Sequence, residues 1–329
     1  MCNLTLSYII PIYNGSSTIE HCLDSIYCSG INLSEFEIVV VDDCSSDDTV
    51  CIVERYAKSH PNIRIIKHDT NKRQGGAKNT GIKKALGKYI AFADQDDEVV
   101  SENLAEMLKI AKEEKSDIIS FQWFECKNKE ILRRGIKLSE KKYLTGVSFC
   151  ESLFDITCSL GPWSYLYRLD FLKQLARPMV ENVLMEDADW IAWHLIHAQT
   201  VLCVNIPIYK WIRNAESITS GVSYRHKADW VLFGLRKIED SLAYHDISVS
   251  FATIMYEDGR YNIERTMRKL WKSDTYYKFY ERLGNKLIIL QRMKWSFRTN
   301  YMFRHPKTTC FVLKIIGPVL IRIKKLSCV

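Results

Sequence analysis

The chain has 329 residues, 47% hydrophobic and 26% charged, which suits a sizeable core and excludes a disordered or collagen-like polymer. Its 11 cysteines show no CxxC pair and no Cys/His ligand spacing, which argues against a disulfide frame or zinc site and for reduced thiols in a cytosolic compartment. The net charge of +7 is split: Arg260 to Val329 holds 17 Lys/Arg against 3 Asp/Glu, and the first 259 residues hold 29 against 36. An acidic body with a basic end predicts an anionic partner for that end, a membrane surface or a nucleic acid.

The N-terminal stretch "MCNLTLSYIIPIYNGSS" has no basic n-region or small-residue cleavage site, so no signal peptide is expected. No run reaches the ~18 apolar residues of a membrane span. From residue 7 to 123, short β-branched or aromatic runs alternate with helical stretches. The runs are "SYIIP", "FEIVVVDD", "IRIIKH", "KYIAFAD" and "DIISFQ"; helices are expected near 17–28, 48–59, 75–86 and 101–115. This pattern predicts an α/β fold: a Rossmann-like, mostly parallel sheet with helices on both faces. Right-handed crossovers put the strands' carboxyl ends at one rim, where ligands bind in such sheets. Residues 124–160 read as an excursion with a helix near 146–154. A helix near "MEDADWIAWHLI" and a strand "TVLCVN" follow, and the pattern after about 220 is mainly helical. Two domains are expected, 1–220 and 221–329.

Three strand ends carry polar residues. After the first, Tyr13 is placed to stack on a nucleobase or to pack half-buried. After the second, Asp42 or Asp43 is placed to accept from a base or sugar, while Ser45, Ser46 or Asp47 caps the next helix. After the fourth comes "ADQDD". Asp94 and Asp96 follow a strand, where residues two apart point the same way, and two hard oxygen ligands on one side suit Mg2+ or Mn2+ with substrate phosphates completing the shell. Asp97, Glu98 and Ser101 are expected to start the following helix, where acids complement the dipole.

In "NKRQGGAKNTGIKKALGKY", Gly75 and Gly76 lead into a helix whose free N–H groups favour phosphate, with Lys72, Arg73 and Lys78 adding charge. It is neither a P-loop nor GxGxxG. Asn79 and Gly81 are expected to seat that helix on the sheet. Glu186 and Asp187 form an acidic pair at a helix start, readable as capping. Beside a metal and a sugar donor, such a carboxylate is also a general base, with Asp187 ranked before Glu186.

Taken in order, "SYIIPIYNG", "VVVDDCSSDDT", "GGAKNTG", "YIAFADQDD" and "MEDADW" resemble the motifs of family 2 glycosyltransferases with the GT-A fold, across about residues 5–215. The segment "PWSYLYRLDFL" also looks like the one that often precedes the Glu-Asp pair there. The resemblance implies an inverting enzyme that moves a sugar from a nucleotide-diphosphate sugar, a UDP-sugar first, to a glycan or lipid-linked acceptor. It implies base contact by Asp43, packing by Tyr13, and further donor contacts by Pro11, Lys78, Asp94, Gln95 and Arg213. It also implies Mn2+ or Mg2+ on Asp94 and Asp96, with Asp96 the more direct ligand, and Asp187 as base. Cell-surface polysaccharide or lipopolysaccharide assembly follows as the setting, in the cytoplasm or peripherally at the cytoplasmic face of the inner membrane. One departure is Ala77-Lys78-Asn79 where the family has Ala-Arg-Asn, because lysine lacks the planar fork for a bidentate contact.

Two rivals come from other classes. A nucleotidyltransferase on sugar phosphates brings a basic, Gly-rich loop after its first strand, and "PIYNGSST" has no base. A non-enzymatic anion- or nucleic-acid-binding protein leaves the acidic clusters unexplained, since they repel phosphate, so no nucleic acid is expected. Phe311 to Ile323 is apolar apart from Lys314, Gly317, Pro318 and Arg322. It reads equally as a membrane-interface element or a last core helix.

Overall fold

The computed structural model describes residues 4–27, 32–127, 130–134, 142–143, 145–153, 161–213, 224–244, 247–270, 282–283, 285–293 and 297–305. The chain divides into two compact units, Met1–Ala215 and Glu216–Val329. The segment from Phe311 to Ile323 lies outside the described residues.

In the first unit, β1 (Leu6–Ile12) and β2 (Phe36–Asp42) are buried at all seven positions, which is why their sequences run apolar without alternation. They pair in parallel, β3 (Ile63–Lys67) adds to β2, and β4 (Tyr89–Phe92) adds to the other side of β1. β4 pairs only with Leu6 to Ile9 of β1, so the missing N–H of Pro11 falls beyond that ladder. Helices α1 (Ile19–Tyr27), α2 (Thr49–Ala57) and α3 (Arg73–Lys84) are the crossovers.

The sheet is then mixed rather than continuously parallel. A two-residue strand, β5 (Glu98–Val99), precedes helix α4 (Leu104–Glu113) and strand β6 (Ile118–Lys127). Strand β7 (Glu130–Arg134), strand β8 (Lys142–Tyr143) and helix α5 (Gly146–Leu153) follow, then strand β9 (Tyr165–Arg168), helices α6 (Leu169–Leu175) and α7 (Asp187–His197), and strand β10 (Val201–Ile212). The order is β3-β2-β1-β4-β9-β6-β10-β5, with β7 on β6 and β8 on β10. Strand β9 runs antiparallel between β4 and β6 and joins two parallel blocks. Because both its neighbours oppose it, β4 and β6 still point the same way. The carboxyl ends of β1, β2, β4, β6 and β10 therefore share one rim.

One face of β1, with Leu6, Tyr8, Ile10 and Ile12, packs on Cys22, Leu23 and Ile26 of α1 in a core that extends to Leu104, Met107 and Leu108 of α4. The other face takes α3. A Cβ at Gly81 would sit 2.3 Å from the Ile9 side chain, so glycine is what lets this helix lie so close to the strand. No disulfide joins the described cysteines.

The second unit is helical. Its long helices, α8 (Tyr224–Tyr244) and α9 (Val249–Leu270), pack around Ala228, Val231, Leu235, Ile263 and Met267. They meet at Gly234 and Gly259, where a Cβ on either would lie 2.5–2.6 Å from the other's carbonyl oxygen. Buried Asp229 is paired with Arg282 at 2.7 Å. No helix among the described residues is long and apolar enough to cross a membrane.

Candidate active site

The loops after β1, β2 and β4 are tied together at the rim. The Tyr13 N–H donates to Gln95 Oε1 at 2.9 Å, and Gln95 Nε2 donates back to the Tyr13 carbonyl at 3.1 Å. Gly15 makes room for this clamp, since a Cβ there would lie 2.3 Å from Gln95 Oε1. Gln95, expected as a donor contact, is thus held as a backbone mimic by the first loop. Asn14 takes a left-handed conformation (φ 47°), donates its N–H to Ser45 Oγ at 3.0 Å, and accepts from the Ser46 N–H at 2.8 Å. Helix α2 begins on Asp48 with no side-chain cap bond, so the expected cap at Ser45, Ser46 or Asp47 is corrected. The Asp47 carboxylate instead ties Ser16 to Thr49. Burial opposes its charge, but these hydrogen bonds from Thr49 and Ser16 bring Asp47 down to about 2.

Tyr13 leaves this knot 49% exposed, open to a flat partner. Asp43 is buried at the end of β2, where Oδ1 accepts from His68 Nδ1 and from the Lys72 N–H, both at 2.8 Å. His68 Nε2 meets Thr80 Oγ1 at 2.8 Å, so Asp43 is oriented by a chain reaching α3. Sequence reading missed His68, although its place directly after the third strand puts it on the same rim.

The acidic stretch after β4 is a turn, not a strand extension. The Asp97 N–H donates to the Asp94 carbonyl at 3.1 Å, so the alternation that would align Asp94 with Asp96 does not operate. What brings both carboxylates to the rim is the turn itself. Asp97 is also not a helix start. It is buried, accepts from Tyr209 O–H at 2.6 Å and from the Ile212 N–H at 2.7 Å, and so fastens the turn to β10. Tyr209 in turn accepts from the Asp94 N–H at 3.0 Å. Glu98 lies in β5, and the helical backbone begins only at Ser101. Burial, with Asp94 and Asp96 nearby, pushes Asp97 well up despite those two hydrogen bonds.

Glu186 and Asp187 arrive at the start of α7. Glu186 is buried and takes Lys78 Nζ at 3.0 Å. Lys78 is only 1% exposed. This corrects its reading as a diphosphate ligand: the ammonium is enclosed and paired, not offered to solvent. Burial would lower its proton affinity, yet Glu186, Asp94 and Asp187 together raise it. Glu186 is correspondingly committed to an ion pair, which leaves Asp187 as the candidate base. Burial first, then Glu186, lift Asp187 against the pull of Lys78, with Asp94 adding, to about 7. Burial, opposed by Lys78 and helped by Asp96 and Glu186, lifts Asp94 to about 6.

Arg213 follows β10, pairs with Glu125 of β6 and is 56% exposed. Its backbone neighbour Ile212 is the residue that holds Asp97, so Arg213 stands one position from the acidic turn.

Among the described residues no group of three or more His, Cys, Asp or Glu could hold a metal on its own. The donor set is two hard carboxylates, Asp94 and Asp96, in one turn. That fits a divalent ion which completes its shell with diphosphate oxygens and water, and it does not fit a closed structural site.

An open α/β sheet flanked by helices, with an acidic turn, an exposed aromatic and a half-buried carboxylate at one rim, is a GT-A-like arrangement. Residues 7–161 match the model of "Glycosyl transferase family 2". It is 35% identical over 173 residues to a poly(ribitol-phosphate) beta-glucosyltransferase of Bacillus spizizenii, covering 52% of this chain and 26% of that one. The chain thus spans about a quarter of that relative's length. In structure it is similar to residues 1–349 of Staphylococcus aureus TarS in complex with UDP-GlcNAc, with TM-score 0.59 and 18% identity over 98% of this chain and 92% of that one. It is also similar to a mannosyltransferase of Pyrobaculum calidifontis in complex with GDP-Man and Mn2+, with TM-score 0.53 and 16% identity over 96% and 86%.

Proposed function

We propose that this chain is an inverting glycosyltransferase. It moves a sugar from a nucleotide-diphosphate sugar, a UDP-sugar first, to a hydroxyl of a glycan or lipid-linked acceptor in cell-surface polysaccharide synthesis. The observation that carries this reading is Asp187. It is a half-buried carboxylate at the first position of α7, beside the Lys78–Glu186 ion pair, with burial and Glu186 lifting its proton affinity, at the rim where ligands bind in such sheets.

Tyr13 packs on the nucleobase, and Asp43, oriented by His68, accepts from the base. Pro11 is the last residue but one of β1, two positions before Tyr13, and the Gln95 clamp fixes both loops. Asp94 and Asp96 would hold Mn2+ or Mg2+, which would supply neutralisation of the charge on the departing diphosphate. Arg213 adds a cation beside the acidic turn. Asp187 accepts the proton of the acceptor hydroxyl. That oxygen forms the new bond to the anomeric carbon from the face opposite the leaving group. The bond to the diphosphate breaks with its electron pair, and the nucleoside diphosphate departs. The names of the relatives, which include a glucosyltransferase and a UDP-GlcNAc complex, support a UDP-sugar as the first donor to try.

A panel of nucleotide sugars with Mn2+ tests the reading. One UDP-sugar should be consumed with release of UDP. Release of pyrophosphate from a nucleoside triphosphate and a sugar phosphate, with no nucleotide sugar consumed, would install the nucleotidyltransferase instead.

A further inference from the structure

The segment before α7 has little regular structure to hold it. Ala176, Asn182 and Met185 all take left-handed backbone conformations, with φ of 48°, 62° and 60°, which side-chain-bearing residues rarely adopt. Met185 directly precedes Glu186. Such a segment keeps its shape only if its surroundings impose it.

Helix α3 supplies those surroundings from one face. Gly75, Lys78 and Asn79 stand at i, i+3 and i+4, so they line a single side of the helix. Each meets the same segment. A Cβ at Gly75 would lie 2.4 Å from the Val180 carbonyl and 3.1 Å from Glu186 Cγ, so glycine permits the approach. Asn79 Nδ2 donates to the Met179 carbonyl at 2.9 Å, and its Oδ1 accepts from the Met179 N–H at 2.8 Å. Lys78 reaches Glu186 Oε1 at 3.0 Å and Gln74 Oε1 at 3.4 Å. A buried ammonium and a buried carboxylate are each costly alone, so each fixes where the other can be.

We propose that α3 is the dock for the base-bearing segment and that Lys78 is a positioning residue for sugar transfer, acting through Glu186 on Asp187 rather than on the donor. This rests on the proposed function, and it reassigns the Gly-Gly-Ala-Lys-Asn stretch from phosphate cradle to scaffold. It also gives a reason for lysine in place of arginine: an enclosed point charge facing one carboxylate has no use for a planar fork.

The test is a double-mutant cycle on the full chain with Lys78→Met, Glu186→Gln and the pair, read by donor turnover. Misplacing a catalytic group by about 1 Å costs roughly 100-fold, so each single variant should lose about 30- to 100-fold in kcat with donor KM within about threefold. The pair removes both members of the ion pair, so Glu186 is not left as an uncompensated charge, and it should recover about tenfold over Lys78→Met. A donor KM raised tenfold or more in Lys78→Met with kcat kept, or losses that simply multiply in the pair, overturns the proposal. If Lys78→Met does not fold, the pair is compared with Glu186→Gln alone: a kcat about tenfold higher in the pair with KM unchanged supports the proposal, and a further loss of kcat or a rise in KM overturns it. Amide exchange of residues 176–187 reads the docking without any donor. Faster exchange in Glu186→Gln than in the parent is expected, and unchanged exchange sinks the dock. A parent enzyme that consumes no nucleotide sugar would instead refute the proposed function, with the exchange result still deciding the dock.

Discussion

Asp187→Asn is expected to lower sugar transfer by about 1,000-fold while leaving UDP affinity within about threefold, because general-base assistance contributes typically 10²–10⁴ in rate and little to donor binding. The pH profile carries the sign. A base works deprotonated, and Asp187 is lifted to about 7 by burial and by Glu186. In the parent, kcat/KM should therefore fall about tenfold per pH unit below about 7 and level off above it. The residual activity of the asparagine variant should lack that limb. Folding provides the control. A carboxyl whose folded-state proton affinity is raised favours folding at low pH, and that contribution fades as the pH rises through its folded value. The asparagine variant should thus melt no lower than the parent at pH 8. A variant with near-parent turnover would remove Asp187 from the base role, and one that melts well below the parent would show that its loss is structural.

Asp96→Ala is expected to have an effect of similar size by another route. With two carboxylates available in the turn, losing one halves the protein's share of the coordination. Transfer by the parent should stop on chelation with EDTA and return on adding Mn2+. The alanine variant should need about 100-fold more Mn2+ for half-maximal rate, if it recovers at all, which titrating the ion against initial rate will show. Rates indifferent to both chelation and this substitution would exclude Asp94 and Asp96 as metal ligands. Asp97→Asn is not an equivalent probe, because Asp97 holds Tyr209 and Ile212 and its loss would disturb the turn itself.

The parallel strands were legible because burial on both faces writes itself as an unbroken apolar run, as in "FEIVVVDD". Strand β9 was not, since four residues placed between a 3-10 turn and a helix carry no periodicity. The rim position of Tyr13, Asp43 and the "ADQDD" turn followed from topology alone. Lys78 and Asp97 were misread for one shared reason. Each is a charged residue whose surroundings come from chain 108 to 115 residues away, and burial of that kind leaves no local trace. Gly75 and Gly76 lie inside α3, which begins at Arg73, and do not lead into it; Gly75 there marks a backbone that another segment approaches. His68 directly follows β3, so the same topology that brings Asp43 to the rim brings His68 there as well.

Single displacement with Asp187 as the base is tested most directly by the configuration of the product. From an α-linked UDP-sugar, NMR of the glycosidic product should show a β linkage from the first turnover. An α linkage would mean retention, which a lone base opposite the leaving group cannot deliver, and would contradict the role given to Asp187.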